Sequence, residues 1–411
     1  MVLEYLWEWS MFALRWLHIV AAIAWIGSSF YFIALDLGLK KAKSAPAGVL
    51  GEEWQVHGGG FYHIQKYGVA PEHMPDDLVW FKWEAYTTWL SGFALLCLMY
   101  YAGAHLYLID PTVMPLSTGG AIVISLIVLA AGWIVYDQLC KRLMEAGDTT
   151  VFIILFLFMV VVGFLLTHVY SGRGAFIHVG AMTATIMAAN VAMVIIPNQR
   201  VVVADLIAGR RPDPKYGKIA KQRSLHNNYL TLPVIFFFLA NHYPLATSTR
   251  FSWVIIAIVL VMGAVIRHYF NTKHATGRHL VWTWVVTVML FLAMVALSTY
   301  PLVRSMPQEE AAGIPFDPMD AGMTALVASD AFPEAQNVIL ARCSMCHSRQ
   351  PLWEGMVHPP LGVVLETDYD IAREASRIAR QAVLSHAMPP GNVTGMTADE
   401  RDAIGRWLRD G

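Results

Sequence analysis

The most specific chemistry in this chain lies in Cys343-Ser344-Met345-Cys346-His347. Two thiols at C-x-x-C spacing, followed at once by an imidazole, are the donor set of a c-type haem. Each thiol adds to one vinyl group, and the histidine reaches the iron from the same side. A zinc or redox C-x-x-C has no need of the adjoining histidine. Cys343 and Cys346 are thus expected as thioether positions and His347 as the proximal iron ligand. The distal ligand should be a later Met or His, and Met356, Met388, Met396, His358 and His386 compete for the place. Met388 is the expected one. It stands in Ala387-Met388-Pro389-Pro390-Gly391-Asn392, where prolines stiffen a loop that presents a thioether free of helical constraint. His/Met ligation raises the potential relative to two imidazoles, which suits an electron acceptor.

A second set of candidates is polar side chains inside apolar runs, where an ionisable group is costly and points to function. Arg15, His18, Ala22, Trp25 and Ser29 fall on one helical face, so Arg15 and His18 are expected to be buried together. Asn228, Thr231, Ile235, Phe238 and His242 form another stripe, flanked by Asn227 and Asn241 and interrupted by Pro233. By depth, His18, His168, His178 and His242 fall toward one side of the membrane, with His105 beside them. His226, His268, His274 and His279 fall toward the other, with Arg267 and Glu84. Imidazoles from separate helices facing one cavity would suit a b-type haem. His18 and His178 are the first choice of ligands, with His168 and His242 as competitors. Direct substrate binding or interhelical hydrogen bonding by the same histidines is the other reading.

These residues have to be positioned by a membrane bundle. The chain has 411 residues, 56% hydrophobic and 14% charged, whereas soluble domains carry about 25% charged residues. The expected fold is all-α: a polytopic membrane helix bundle followed by a small soluble helical domain. Apolar windows suggest about eight spans near 11–37, 84–106, 119–139, 150–170, 175–197, 228–244, 252–270 and 280–302. The chain divides into a membrane domain over 1–302, a Pro-rich linker over 303–321 and a soluble domain over 322–411. Helices are expected over 333–342, 370–384 and 397–410, the last with Thr397 and Glu400 as a capping box. Lys and Arg gather in alternate loops, most densely from Arg200 to Arg223. The intervening loops offer only Arg173, Arg250 and Arg304. The positive-inside rule then places both termini and the haem motif outside the cytoplasm, where c-type haem is attached in bacteria. The basic loop reads as a topology signal with lipid-headgroup contact, or else as an anion funnel. Residues 40–83, with His57, Gly58, Gly59, Gly60, His63 and Trp80, could cap the cytoplasmic mouth. Cys97 and Cys140 read as packing residues. The acidic start (Glu4, Glu8) and the long first apolar run suggest no cleavable signal. The net charge of −1 says nothing about nucleic acid; no basic arm or nucleic-acid motif appears, so no nucleic-acid partner is expected.

Arg15–Leu39 (RWLHIVAAIAWIGSSFYFIALDLGL), His226–Pro244 (HNNYLTLPVIFFFLANHYP), CSMCH and MPPGN together resemble the bacterial membrane-bound cytochrome c urate oxidases across essentially the whole chain. The tail resembles a class I cytochrome c, and His358-Pro359-Pro360 resembles the loop whose carbonyl bonds the proximal imidazole. More distantly, the first span is similar to that of haem-binding protoporphyrinogen oxidases, in which a histidine of this segment binds haem. The resemblance implies oxidation of urate to 5-hydroxyisourate in a bacterial inner membrane. Electrons would leave through haem c to a cytochrome c or terminal oxidase. A planar anionic purine wants a cationic or amide fork and an aromatic face. Arg15, Asn227, Asn228, Phe238, Asn241 and His242 are candidates for these parts, and Arg15, His226, Asn228 and His242 for catalysis. The competing reading is a respiratory subunit relaying electrons from quinol to a partner, for which paired histidines on two helices would be expected.

Overall fold

The computed structural model describes residues 2–41, 46, 48–111, 113–143, 147–247, 249–305, 321–353, 356, 359–360 and 363–410. The chain is 72% helix and 5% strand. Among the described residues, six helical segments are long and apolar enough to cross a membrane: Trp9–Gly38, Thr118–Arg142, Asp148–Thr167, Gly172–Ile207, Ser252–Thr276 and Val281–Thr299. Two of the eight expected spans fall short by this measure, although helices occupy both places. The second expected span is a 13-residue helix α2 (Trp83–Leu95) that runs into a π-helical turn (Leu96–Tyr101) and then a short α3 (Ala104–Tyr107). The sixth begins earlier than expected. Helix α8 spans Pro214–Leu239, and its first half carries Lys215, Lys218, Lys221 and Arg223. Asp213 caps it and Pro214 opens it, a favourable start for a helix.

The first helix, α1 (Val2–Gly38), packs on α2. Helices α4 (Thr118–Arg142) and α5 (Asp148–Thr167) follow, then α6 (Gly172–Ala189), which a π turn (Asn190–Ile195) joins to α7 (Ile196–Ile207). After α8 come α9 (Pro244–Thr247), α10 (Ser252–Thr276) and α11 (Val281–Ser305). The segment through α6 and α7 is the axis of the bundle: 67% of its most apolar stretch is buried, against 11% for α1 and for α11. Its Phe176, Val179, Met182 and Ile186 share one buried core with Leu129 and Tyr136 of α4, Leu155 and Met159 of α5, Phe237 of α8 and Ile255 and Ile256 of α10. The outward faces of α1 and α11 expose Ile19, Ile23, Val285, Val288 and Leu292, as a lipid-facing surface should. Gly263 of α10 lets α8 approach at its internal proline. A Cβ there would fall 2.5 Å from Pro233 Cδ.

Within residues 40–83 the all-α expectation fails. Strands β1 (Val49–His57) and β2 (Gly60–Tyr67) form an antiparallel hairpin closed at His57 and Gly60. Gly58 and Gly59 have φ of 60° and 80°, the left-handed pair of a two-residue type I′ turn. Asp36 at the end of α1 ties the hairpin down, pairing with Lys66 of β2 and with Lys221 of α8 at 2.8 Å.

Most of the expected linker, residues 306–320, lies outside the described residues. Beyond it, α12 (Ala321–Ala328), α13 (Phe332–Arg342), α14 (Asp368–Arg373), α15 (Ala375–Ile378) with a π turn to Leu384, and α16 (Ala398–Asp410) enclose a separate core. In that core Phe332 packs on Trp407, whose indole N–H donates to Leu326 O at 2.8 Å. Thr397 and Glu400 exchange both hydrogen bonds of a capping box at the start of α16. Arg342 of α13 clamps Glu400 with two nitrogens, at 2.8 and 3.0 Å. This clamp holds the Glu400 carboxyl below the usual carboxylate range.

Candidate functional site

The C-x-x-C-H stretch follows directly on α13. One turn closed by Cys346 N–H and His347 N–H on Cys343 O, at 3.1 and 2.9 Å, brings the two cysteines and the histidine close together. His347 Nδ1 lies 3.1 Å from Val363 O. A carbonyl only accepts, so Nδ1 carries the proton and Nε2 presents its lone pair, which is the form an iron ligand takes. The carbonyl facing the His347 imidazole is that of Val363; His358, in the loop expected to supply it, lies outside the described residues. Burial pushes the Cys343 thiol up to about 12 and raises Cys346 as well, which does not favour a thiolate metal site. No group of three metal-binding side chains occurs among the described residues. On the distal side, Arg401 of α16 donates to Met388 O at 2.8 Å and to Ala382 O, fixing the loop on either side of His386. Met396 is 3% exposed and belongs to the apolar core of the C-terminal domain. The Cys343, Cys346 and His347 side chains of this turn fit the donor set of a covalently held haem, with Met388 the distal ligand expected from the sequence.

In the membrane part the structure separates the candidates. Arg15 is exposed, with Nη2 3.6 Å from Met99 Sδ, which corrects the expectation that it is buried beside His18. Only the inner part of that stripe turns toward α2. His18 Nδ1 bonds Thr88 O at 3.0 Å and lies 3.1 Å from Ser91 Oγ, and Nε2 has no hydrogen-bond partner among the described residues. Its ring meets Phe238 edge-on at 6.0 Å. His178 is fully buried, but both nitrogens are engaged, by Gly174 O at 2.7 Å and Ser125 Oγ at 2.6 Å. As placed, it offers nothing to an iron. His168 and His242 are exposed. No two of these four imidazoles are brought face to face by the contacts seen here.

His226, Asn227 and Asn228 do come together, in a buried polar network far from the haem motif. Asn190 Nδ2 donates to Tyr136 Oη at 3.0 Å and to Asn227 Oδ1 at 2.9 Å. Arg223 donates to Asn190 Oδ1 at 3.2 Å and to Asp137 Oδ1 at 2.9 Å, and its guanidinium stacks on Tyr136. Tyr136 Oη also bonds His226 Nδ1 at 2.9 Å, and Asp148 lies 3.8 Å from His226 Nε2. Beside this, Arg267 and Asn271 both donate to Asn228 Oδ1 at 3.1 Å, with Arg267 over the Phe30 ring. Arg223 Nε, His226 Nε2 and Asn228 Nδ2 are buried without a hydrogen-bond partner. Sequence reasoning assigned Arg223 to the basic loop and passed over Asn190 and Tyr136. The π turn beginning at Asn190, a local widening common at functional sites, has no sequence signature that would have exposed it.

A third region lies where the C-terminal domain rests on the bundle. Gly391 sits so close to α3 that a Cβ would fall 2.6 Å from Ile109 O and 3.1 Å from His105 O. Beside this contact opens a cleft of about 700 Å³, walled by the loop after His386 on one side and by the α5–α6 and α9–α10 connections on the other. Arg173, Arg250, Arg401, His168 and His386 line it, with Asp110 and Asn241. Asn241 Oδ1 accepts from Tyr100 Oη at 2.6 Å, so of the expected substrate fork only Asn241 reaches this cleft. The haem-motif residues and Met388 are not in its wall.

A polytopic helical bundle with a C-terminal helical domain built around C-x-x-C-H defines the general class. The chain belongs to the family described as Urate oxidase N-terminal, which matches residues 4–298. That match ends within α11 and leaves the C-terminal domain outside it. No curated protein and no solved structure matches the chain.

Proposed function

We propose that this protein oxidises urate to 5-hydroxyisourate and passes the electrons to a haem c held by Cys343, Cys346, His347 and Met388. The observation that carries the reading is the conjunction in one chain of the urate oxidase N-terminal family with a C-x-x-C-H turn whose imidazole presents a free Nε2. Haem c supplies one-electron redox chemistry at a raised potential. The reaction balances as urate monoanion plus water giving 5-hydroxyisourate, one proton and two electrons, so each turnover takes two transfers. The chain's own residues bind and orient the purine, remove the proton and hold the acceptor domain in place. The charge asymmetry of the loops supports an inner-membrane location with both termini and the haem on the periplasmic side. A periplasmic cytochrome or a terminal oxidase would then be the next acceptor.

Urate added without oxygen to the purified holoprotein is expected to reduce the c-type absorbance, with one urate reducing two proteins. No reduction by urate, with full reduction by dithionite, would refute the assignment.

A further inference from the structure

Two regions compete to hold the substrate, and distance separates them. Helix α6 starts at Gly172 in the cleft and ends at Ala189, next to Asn190 of the buried network. Eighteen residues at about 1.5 Å rise put the two regions roughly 27 Å apart, nearly the thickness of the hydrocarbon core. Electrons from the buried network would have to cross that distance to reach the C-terminal domain. From the cleft they start against Ala387 and Pro390, neighbours in sequence of the distal Met388.

The charge pattern points the same way. Arginine is scarce in the loops on the haem side: Arg173, Arg250 and Arg304 are the only ones. Two of these three line the cleft, and the C-terminal domain adds Arg401 across it. Arg173 stacks on Tyr107 at 4.9 Å and keeps a buried Nε without a hydrogen-bond partner. Against three guanidinium groups the lining has one carboxylate, Asp110. Amide and hydroxyl groups of Asn241, Thr249 and Ser252 complete it. A volume of about 700 Å³ is within the range of small-molecule sites.

We propose that the cleft between the C-terminal domain and the bundle is where the urate anion is bound and oxidised, reached from the haem side of the membrane. This rests on the reading that urate is the substrate. Arg173 and Arg250 hold the anion and Asn241 faces its amide edge. With haem c bound as the one-electron acceptor, the monoanion would give up two electrons in turn, which would leave C5 electron-poor. Water forms the C–O bond there and gives up one proton. His168 is placed to take it. Its Nδ1 lies 2.8 Å from Phe164 O and so carries the ring proton, which leaves Nε2 as a base in the cleft wall.

The test is the rate of haem c reduction by urate in the holoprotein. Arg250→Gln changes an exposed side chain and should fold normally. It is expected to raise KM for urate at least tenfold with little change in kcat. His168→Gln is expected to lower kcat about 100-fold or more with little change in KM for urate. In sealed, right-side-out vesicles, urate supplied only outside should reduce the haem. Variants that match the wild type, or reduction only by urate trapped inside, overturn the cleft as the site while leaving urate oxidation standing. A wild-type holoprotein that urate does not reduce overturns the function and the cleft together.

Discussion

Gly391 tests whether the C-terminal domain is held on the bundle by the contact seen here. It has φ of 56°, a region open to glycine and costing an L side chain about 1–2 kcal/mol. Gly391→Ala incurs that cost and a second one. The new methyl would lie 2.6 Å from Ile109 O, with His105 O and Leu106 O at 3.1 and 3.3 Å. These are backbone carbonyls and cannot rotate away, so relief requires the loop to lift off α3, for about 1–3 kcal/mol more. Gly395 supplies the control. Its φ is 66°, yet nothing lies within 4 Å of its Cβ position, so Gly395→Ala incurs only the conformational cost. The difference between the variants isolates the interface. At about 1.4 kcal/mol per decade, 1–3 kcal/mol shifts the docking equilibrium roughly 5- to 150-fold. Amide hydrogen exchange at Ala104–Ile109 reads it, since undocking exposes that segment. Exchange should rise in Gly391→Ala by that factor and stay near wild type in Gly395→Ala. Equal exchange in the two variants would show that this contact does not hold the domains together.

Three further outcomes follow from side chains described above. Arg223→Met deprives Asp137 and Asn190 of a donor in a site where Arg223 is 3% exposed. Removing one partner of a buried pair costs about 3–5 kcal/mol. Lys141 still pairs Asp137 at 2.7 Å, so a loss near about 3 kcal/mol is expected, read as a lowered unfolding temperature in detergent; an unchanged temperature would make the network dispensable. Glu400 is depressed by Arg342, so its contribution is present above the unfolded carboxylate value of about 4.3 and is lost as pH falls through its lower folded value. Glu400→Gln should therefore weaken the C-terminal domain at pH 7 and flatten its acid dependence below about pH 4, as followed by the haem Soret band; an identical acid transition would contradict the clamp. Met388→His replaces His/Met by bis-imidazole ligation and should lower the midpoint potential; an unmoved potential in a redox titration places the distal ligand elsewhere.

What the sequence disclosed, and what it withheld, divides along a physical line. Hydropathy is a sum over many residues, so the membrane helices stand out even where one position misleads. The polar content that marks α8 in the sequence also lowers its hydropathy, and α2 is cut short by its π turn, so these two fall below the length-and-composition mark of a span. The hairpin was legible in Gly58-Gly59 between two runs of mixed polarity, but lay in what read as a loop. Single side chains fared worse. Arg15 and Arg223 are both arginines near the end of an apolar run. One turns outward and the other is buried against Tyr136. The choice rests on how each helix is rotated against its neighbours, and periodicity gives the face of a helix without saying what the face meets. His178 illustrates the same limit. Its position on the haem side was legible, but that Gly174 and Ser125 use both of its nitrogens depends on α4 packing beside α6.

The loop from His386 to Asn392 carries the sharpest consequence of that limit. As sequence it reads as a device for presenting one thioether. In the fold it answers to two surfaces at once: Arg401 grips Met388 O at 2.8 Å, while three residues on Gly391 rests against the carbonyls of α3. Ala387, Pro390 and Asn392, between and beside these anchors, form part of the cleft wall. A short segment pinned at both ends has little freedom to absorb a displacement. An anion bound in the proposed site would therefore act on the same loop that carries Met388. Its presentation of sulfur and its docking on the bundle are one structural constraint.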